Sequence, residues 1–215
     1  MGYQWNWGVF LSPSASGDDT YLGWMFAGFK MTIALSLTAW VLALILGALV
    51  GVLRTVPNKT LAGIATAYVE LFRNVPLLVQ LFIWYFVLPE LLPTSIGDAY
   101  KQSHPVMQQF LASMICLGLF TSARVAEQVR AGINSLPKGQ KNAGLALGFT
   151  LPQTYRHVML PMAFRLVVPP LTSEFLNIFK NSAVCSTIGL LELAAQGRQL
   201  VDYTAQPFES FIAVT

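Results

Sequence analysis

The chain has 215 residues, of which 54% are hydrophobic and only 11% are charged, and its formal net charge is +3. Soluble domains carry about 25% charged residues, so the charges here are too few to cover a water-soluble globule. Helices that face lipid need an apolar outer surface, and the composition therefore predicts a membrane protein in contact with lipid. The positive excess is too small to indicate nucleic-acid binding, and no nucleic-acid partner is expected.

The first 28 residues are aromatic, polar and rich in Gly and Ser, with Trp5, Trp7 and Trp24 typical of a membrane–water interface. They lack a basic leader followed by an apolar core, so we expect no removable signal peptide. The first long apolar run, 31–53, carries no charge and is long enough to span a bilayer. Within it, Gly47 and Gly51 have the GxxxG spacing, which is either a helix-packing face or a chance occurrence.

A second apolar segment, 61–88, is longer than a simple span and is interrupted by Glu70, Arg73 and Pro76. Glu70 and Arg73 are three residues apart and could neutralise each other on one helix face. Alternatively, Arg73 lies near a solute route, because the proline removes a helix hydrogen bond and irregular backbone can line a cavity.

A third, uncharged segment covers 106–123, and the basic stretch 124–165 follows it with six Lys or Arg residues against Glu127 alone. A fourth segment begins after Leu166, but Pro169, Pro170 and Glu174 leave its limits open. From Phe208 the sequence becomes apolar again.

The positions of the basic residues predict the topology, because Lys and Arg favour the cytoplasmic side. The basic turn at 54–59 and the stretch 124–165 are separated by two predicted spans and so lie on the same side. We therefore expect an extracytoplasmic N-terminus, a periplasmic segment 1–28, and a single transmembrane domain 29–215 with a cytoplasmic loop at about 124–165.

One block of the cytoplasmic stretch, GQKNAGLALGFTLPQTYRHVMLP (139–161), carries the clearest motif. Residues 142–147 form a helix-prone run that Gly148 ends. Leu151 and Pro152 start a second short helix, which we expect to end at Leu160 and Pro161. A short helix with small residues can dock into a groove of another protein, and the alternative is an ordinary basic loop that only sets topology.

This block resembles the coupling-loop motif of ATP-binding-cassette importer permeases, E-A-A-x3-G-x9-I-x-L-P. Its spacing is kept throughout, with Gly144 in place of Ala, Val158 in place of Ile and Asn142 in place of the acidic residue. The resemblance implies a cytoplasmic ATPase that docks on the residues matching the motif: Asn142, Ala143, Gly144, Gly148, Val158, Leu160 and Pro161.

Three further stretches are similar to the polar-amino-acid subgroup of these permeases, namely ELFRNVPLLVQ (70–80), SARVAEQVRAGINSLPKGQ (122–140) and STIGLLEL (186–193). The opening WNWG and the run SLPKGQKNA resemble glutamate/aspartate importers. The family fold is an all-α polytopic membrane protein of about five helices with a cytoplasmic coupling helix. The complete family pattern has a further helix after Phe211, so the last helix is expected to be truncated here.

The resemblance also implies the assembly and the localisation. We expect a second permease subunit, two ATP-binding subunits that hold ATP-Mg, an extracytoplasmic solute-binding protein and the lipid of a bacterial inner membrane. This chain is expected to bind no cofactor or metal itself and to have no catalytic residue, since no Walker A pattern is present.

A route for a dicarboxylic amino acid needs cationic or hydrogen-bond-donor groups. Glu174 and Asn177 share one face of the fourth segment, and Lys180 lies close by along the sequence. This face either packs against a partner helix or lines the solute route, for which the candidates are Arg73, Gln80, Glu174, Asn177 and Lys180. The need for cationic or donor groups favours the other four over Glu174.

Three other functions are alternatives to the importer. An intramembrane enzyme is not expected, because HExxH is absent and no paired aspartates or G-x-S-x-G fall within the predicted spans. An ion-coupled secondary transporter would need sites between repeated halves, and no repeat is visible. A non-transporting membrane scaffold would leave the coupling-loop spacing unexplained.

Overall fold

The computed structural model describes residues 3–215 and, within that range, every side chain except that of Lys138. The described residues are mostly helical and contain no β-strand, so the predicted all-α class is confirmed. The α-helices of this range are α1 (Tyr21–Leu53), α2 (Lys59–Asn74), α3 (Leu77–Phe82), α4 (Leu88–Leu91), α5 (Thr94–Gln102), α6 (Pro105–Asn134), α7 (Lys138–Ala146), α8 (Leu151–Thr154), α9 (Leu160–Ser182), α10 (Leu193–Thr204) and α11 (Pro207–Val214). Short 3-10 helices occur at Trp7–Leu11 and Ala183–Ile188, and π-helical turns at Ile83–Val87 and Tyr155–Met159.

Two of these helices, α1 and α6, are each long and apolar enough to cross a membrane. Two bent helix pairs also qualify if each is one span: Lys59–Asn74 with Leu77–Leu91, bent by 102°, and Leu151–Ile188 with Leu193–Thr204, bent by 53°. The described chain is therefore built to pass through a membrane more than once.

The first helix is longer than predicted. It begins at Tyr21, ten residues before the expected start at Met31, and so crosses the predicted boundary between residues 28 and 29. Tyr21 is buried in a cluster with Val9 and Leu200, and this packing extends the helix beyond its uncharged stretch. Residues 1 and 2 of the predicted N-terminal segment lie outside the described residues.

The predicted interruption of the second segment is confirmed at Pro76. Helix α2 ends at Asn74, and α3 starts at Leu77 in a new direction. Proline has no N–H, and the turn leaves backbone carbonyls without helical partners. The side-chain amide of Gln80 satisfies two of them, since Nε2 donates to the Phe72 carbonyl at 2.9 Å and to the Val75 carbonyl at 2.8 Å.

The predicted end of the third segment at Ala123 was wrong, because α6 continues to Asn134. The loop predicted at 124–165 therefore begins inside a helix. Charged residues do not end this helix, and Glu127 within it accepts from Arg130 at 2.5 Å and from Arg54 at 2.5 Å, so its carboxylate offsets part of their positive charge.

The predicted second short helix was also wrong in its end. Helix α8 passes through the π-helical turn Tyr155–Met159 directly into α9, so Leu160 and Pro161 lie at the start of a long helix. The wider i→i+5 spacing of the π turn accommodates Pro161, which has no N–H to donate and would interrupt a regular helix. Helix α9 thus begins six residues before Leu166 and contains Pro169 and Pro170 in its interior.

The chain forms two compact units. The first unit consists of residues 3–37, Leu81–Met114 and Phe179–Thr215, and the second unit consists of Thr38–Gln80 and Ile115–Ile178.

In the second unit, the GxxxG glycines are a packing face. A Cβ atom at Gly47 would lie 2.6 Å from the Val125 side chain, and one at Gly51 would lie 2.7 Å from the Val129 side chain. Only glycine allows α1 and α6 to approach this closely.

Candidate functional site

Helix α7 and the turn after it form the predicted coupling segment, which lies within the second unit. The helix begins at Lys138, four residues before the predicted run, and Pro137 separates it from α6 with an extended backbone ψ of 130°. Gly144 is buried against α8, and a Cβ there would lie 2.7 Å from Thr154 Cγ2. Asn142 and Ala143 are exposed on the same helix.

Gly148 ends this helix as predicted, in the left-handed conformation with φ of +86°. The turn is closed by three backbone hydrogen bonds: Leu147 N to Ala143 O at 3.0 Å, Gly148 N to Leu145 O at 3.0 Å and Phe149 N to Gly144 O at 3.2 Å. Glycine is favoured here because other residues are strained at a positive φ.

The segment presents large apolar side chains to the outside. Leu147 is 78% exposed, and Leu145 and Phe149 are exposed as well. Sequence reasoning missed these three residues, although large apolar residues within a basic stretch are a signal for a docking surface. We call Asn142, Ala143, Leu145, Leu147 and Phe149 the α7 surface.

The rest of the predicted motif holds the segment in place. Leu160 packs against a buried cluster that includes Ile133, Tyr155 and Met159. Tyr155 also donates from its hydroxyl to the Thr55 carbonyl at 2.8 Å, which ties the segment to the end of α1. Val158 is half-buried and Pro161 is exposed.

The expected ion pair between Glu70 and Arg73 is not among the ion pairs of the described residues. Arg73 instead lies 3.5 Å from the Glu127 carboxylate of α6, and its side chain is 49% exposed. Since α2 and α6 pack together, with Tyr68 hydrogen-bonded to Ser122 at 2.6 Å, the α6 carboxylate is within reach. Glu70 is exposed and lines the same polar pocket.

The other route candidates are distributed over both units. In the second unit, Gln80 is buried and both of its amide hydrogen bonds go to backbone carbonyls. Glu174 is also buried there, and its Oε2 has no hydrogen-bond partner, while Asn177 is half-buried. In the first unit, Lys180 is exposed and lines a pocket of about 420 Å³ together with Thr32 and Glu192.

Comparison with known proteins identifies the family. Residues 43–215 match the family described as the binding-protein-dependent transport system inner membrane component. The chain belongs to this family. It is therefore a multi-pass transporter subunit and not an enzyme.

Individual relatives agree with this membership. The glutamate/aspartate import permease protein GltJ of Escherichia coli (strain K12) is 60% identical over 216 residues, which cover 100% of this chain and 88% of the relative. The glutamate/aspartate import permease protein GltK of Escherichia coli O6:H1 is 30% identical over 190 residues, or 88% of this chain and 80% of the relative. The crystal structure of an amino acid ABC transporter with histidines matches with a TM-score of 0.75 and 30% identity over 90% of this chain and 85% of that chain.

Proposed function

We propose that this chain is the permease subunit of an ATP-driven importer of glutamate and aspartate, and that the α7 surface is where its ATPase docks. The α7 surface carries the proposal. It combines exposed apolar side chains with a glycine-fixed turn, and a buried cluster and the Tyr155 hydrogen bond hold it against the end of α1. A monomer rarely exposes such a patch unless a partner covers it.

The cargo and the partners follow from the relatives. GltJ, at 60% identity, is named for glutamate and aspartate import, and GltK is named for the same cargo. We therefore propose a second, non-identical permease subunit, two ATPases that bind ATP-Mg and an extracytoplasmic binding protein. The basic turn at 54–59 and the α7 surface would lie on the cytoplasmic side, with the N-terminus outside.

For the solute route we propose the face of α9 that carries Glu174 and Asn177 in the second unit. Separately, we propose Lys180, in the first unit, as a cationic group toward a dicarboxylic solute. The buried, unpartnered Oε2 of Glu174 supports a role beyond packing, because a buried polar atom without a partner is costly. Arg73 and Gln80 remain predictions for this route. If Lys180→Met and Arg73→Met both left transport kinetics intact, the cationic part of the proposal would be wrong.

The experiment is reconstitution of the full-length chain in liposomes with its partner permease, ATPase and binding protein. We expect glutamate to stimulate ATP hydrolysis, and Gly148→Asp to abolish that stimulation. Gly17→Asp is the matched control, because Gly17 also has a positive φ, of +76°, and open space around it, but lies in the N-terminal segment. Stimulation only by an unrelated amino acid would overturn the cargo, and equal loss in both variants would overturn the docking role of the α7 surface.

A further inference from the structure

A polar pocket of about 380 Å³ lies in the second unit where α1, α2 and α6 meet. Three guanidinium groups line it, those of Arg54, Arg73 and Arg130, together with the carboxylates of Glu70 and Glu127. Three positive charges against two negative ones leave an excess of one positive charge in a confined, polar space.

The three arginines differ in how closely they pair with Glu127. Glu127 accepts from Arg54 and from Arg130 at 2.5 Å each, and the Arg54 side chain is only 10% exposed. Arg73 reaches the same carboxylate only at 3.5 Å and leaves about half of its side chain exposed. Guanidinium carries five N–H donors in a planar fork, so Arg73 has donors left for another acceptor.

Two of the arginines of this pocket lie near the ends of the two long apolar helices. Arg54 directly follows Leu53, the last residue of α1, and Arg130 lies about 6 Å before the end of α6 at a rise of 1.5 Å per residue. The headgroup layer adds about 5–8 Å on each side of the hydrocarbon core. Helix ends of this kind are where an anionic headgroup can meet guanidinium groups.

We propose that this pocket binds a phosphate group, and that the phosphate is the headgroup of an anionic phospholipid. Guanidinium groups bind phosphate oxygens bidentately, and basic pockets between membrane helices suit anionic headgroups. Arg73 and Arg130 donate to the phosphate, while Glu127 holds Arg54 and Arg130 in place. This site lies outside the α7 surface, and it shares only Arg73 with the candidates for the solute route.

The test uses the full-length permease in its assembled complex and measures retained and added phosphatidylglycerol by native mass spectrometry and by the shift of the melting temperature. We expect phosphatidylglycerol to bind and phosphatidylcholine to bind much more weakly. Arg73→Gln should weaken phosphatidylglycerol binding about tenfold or more, since it removes charge-assisted hydrogen bonds. Lys59→Gln is the control, because this exposed residue carries the same charge at the opposite end of α2 from Arg73 and does not line the pocket.

Competition distinguishes the sources of the phosphate. If glycerol phosphate at millimolar concentration fails to displace the lipid, the headgroup is the ligand. If glycerol phosphate displaces it and binds alone, the phosphate site stands and a soluble phosphate compound is its ligand. Unchanged binding in Arg73→Gln, an equal loss in Lys59→Gln, or displacement by glutamate but not by glycerol phosphate would each overturn the proposal, whether or not glutamate import is established.

Discussion

Replacing Gly148 by Ala tests whether the turn after α7 is needed for docking. Space is not the obstacle, because nothing lies within 4 Å of the added Cβ, but φ is +86°. A residue with a Cβ costs about 1–2 kcal/mol in the left-handed region. The lower entropy of the unfolded chain returns about 0.4–1 kcal/mol, so the net loss is about 1 kcal/mol. That corresponds to about a fivefold smaller population of the ordered turn.

The assay combines hydrogen exchange with association of the ATPase. The Phe149 amide donates to Gly144 across the turn, so it should exchange about fivefold faster in Gly148→Ala. The affinity for the ATPase should fall by a similar factor. Gly139→Ala, inside α7 with open space around it, controls for a changed helix composition, and Gly17→Ala controls for backbone strain elsewhere. Wild-type exchange and affinity in Gly148→Ala, or an equal loss of affinity in Gly17→Ala, would refute the reasoning.

Three further predictions concern stability in the membrane, each measured as a shift of thermal unfolding in detergent. Gly47→Ala should destabilise the protein by about 1–3 kcal/mol, because the added Cβ would lie 2.6 Å from α6. Gly63→Ala should be neutral or slightly stabilising, because open space surrounds Gly63. Equal effects of the two substitutions would contradict the packing role of Gly47. Glu127→Gln should cost about 2 kcal/mol of stability, because it leaves the charge of the buried Arg54 unpaired. Glu70→Gln should cost little, because Glu70 is exposed and has no ion pair among the described residues. A larger loss of stability in Glu70→Gln than in Glu127→Gln would exclude Glu127 as the centre of the arginine cluster. Gln80→Leu should cost about 1–3 kcal/mol of stability, because the Phe72 and Val75 carbonyls lose their donor. A Gln80→Asn variant that is no more stable than Gln80→Leu would be consistent with this role. A Gln80→Leu variant as stable as the wild type would contradict it.

The elements that could be predicted from the sequence were those set by local chemistry. The uncharged run ending at Leu53, the interruption at Pro76 and the helix end at Gly148 each follow from residue type alone, and the structure has all three. The GxxxG spacing was compatible with packing or with chance, and only the presence of α6 opposite Gly47 decided it.

The elements that could not be predicted depend on partners distant in sequence. Arg124 marked the predicted end of a span, but α6 continues past it, and Glu127 of this extension pairs with Arg54, 73 residues earlier in the chain. Likewise, the spacing of Glu70 and Arg73 suggested an ion pair within one helix, but Arg73 pairs with the Glu127 carboxylate of α6 instead.

The same limit applies to the candidate site. The motif indicated where a partner would dock, and the family match supports the class of protein. The motif did not indicate that Leu147 would be the most exposed of the three large apolar side chains of the α7 surface, because exposure depends on how α7 lies against α8. Nor could residue spacing show that the side-chain amide of Gln80 donates its hydrogen bonds to backbone carbonyls at the bend.

The run from α8 through the π-helical turn into α9 is helical without a break, and if it moves as a rigid body it transmits a tilt from one end to the other. Thr154 lies against Gly144 of α7 near one end, and Glu174 lies twenty residues further, about 30 Å along the helix axis. A tilt of about 5° at the α7 contact would therefore move the Glu174 carboxylate by roughly 2.5 Å over that length. Such a displacement is close to the length of a hydrogen bond, so a small push at the surface is enough to make or break a contact deep within the second unit.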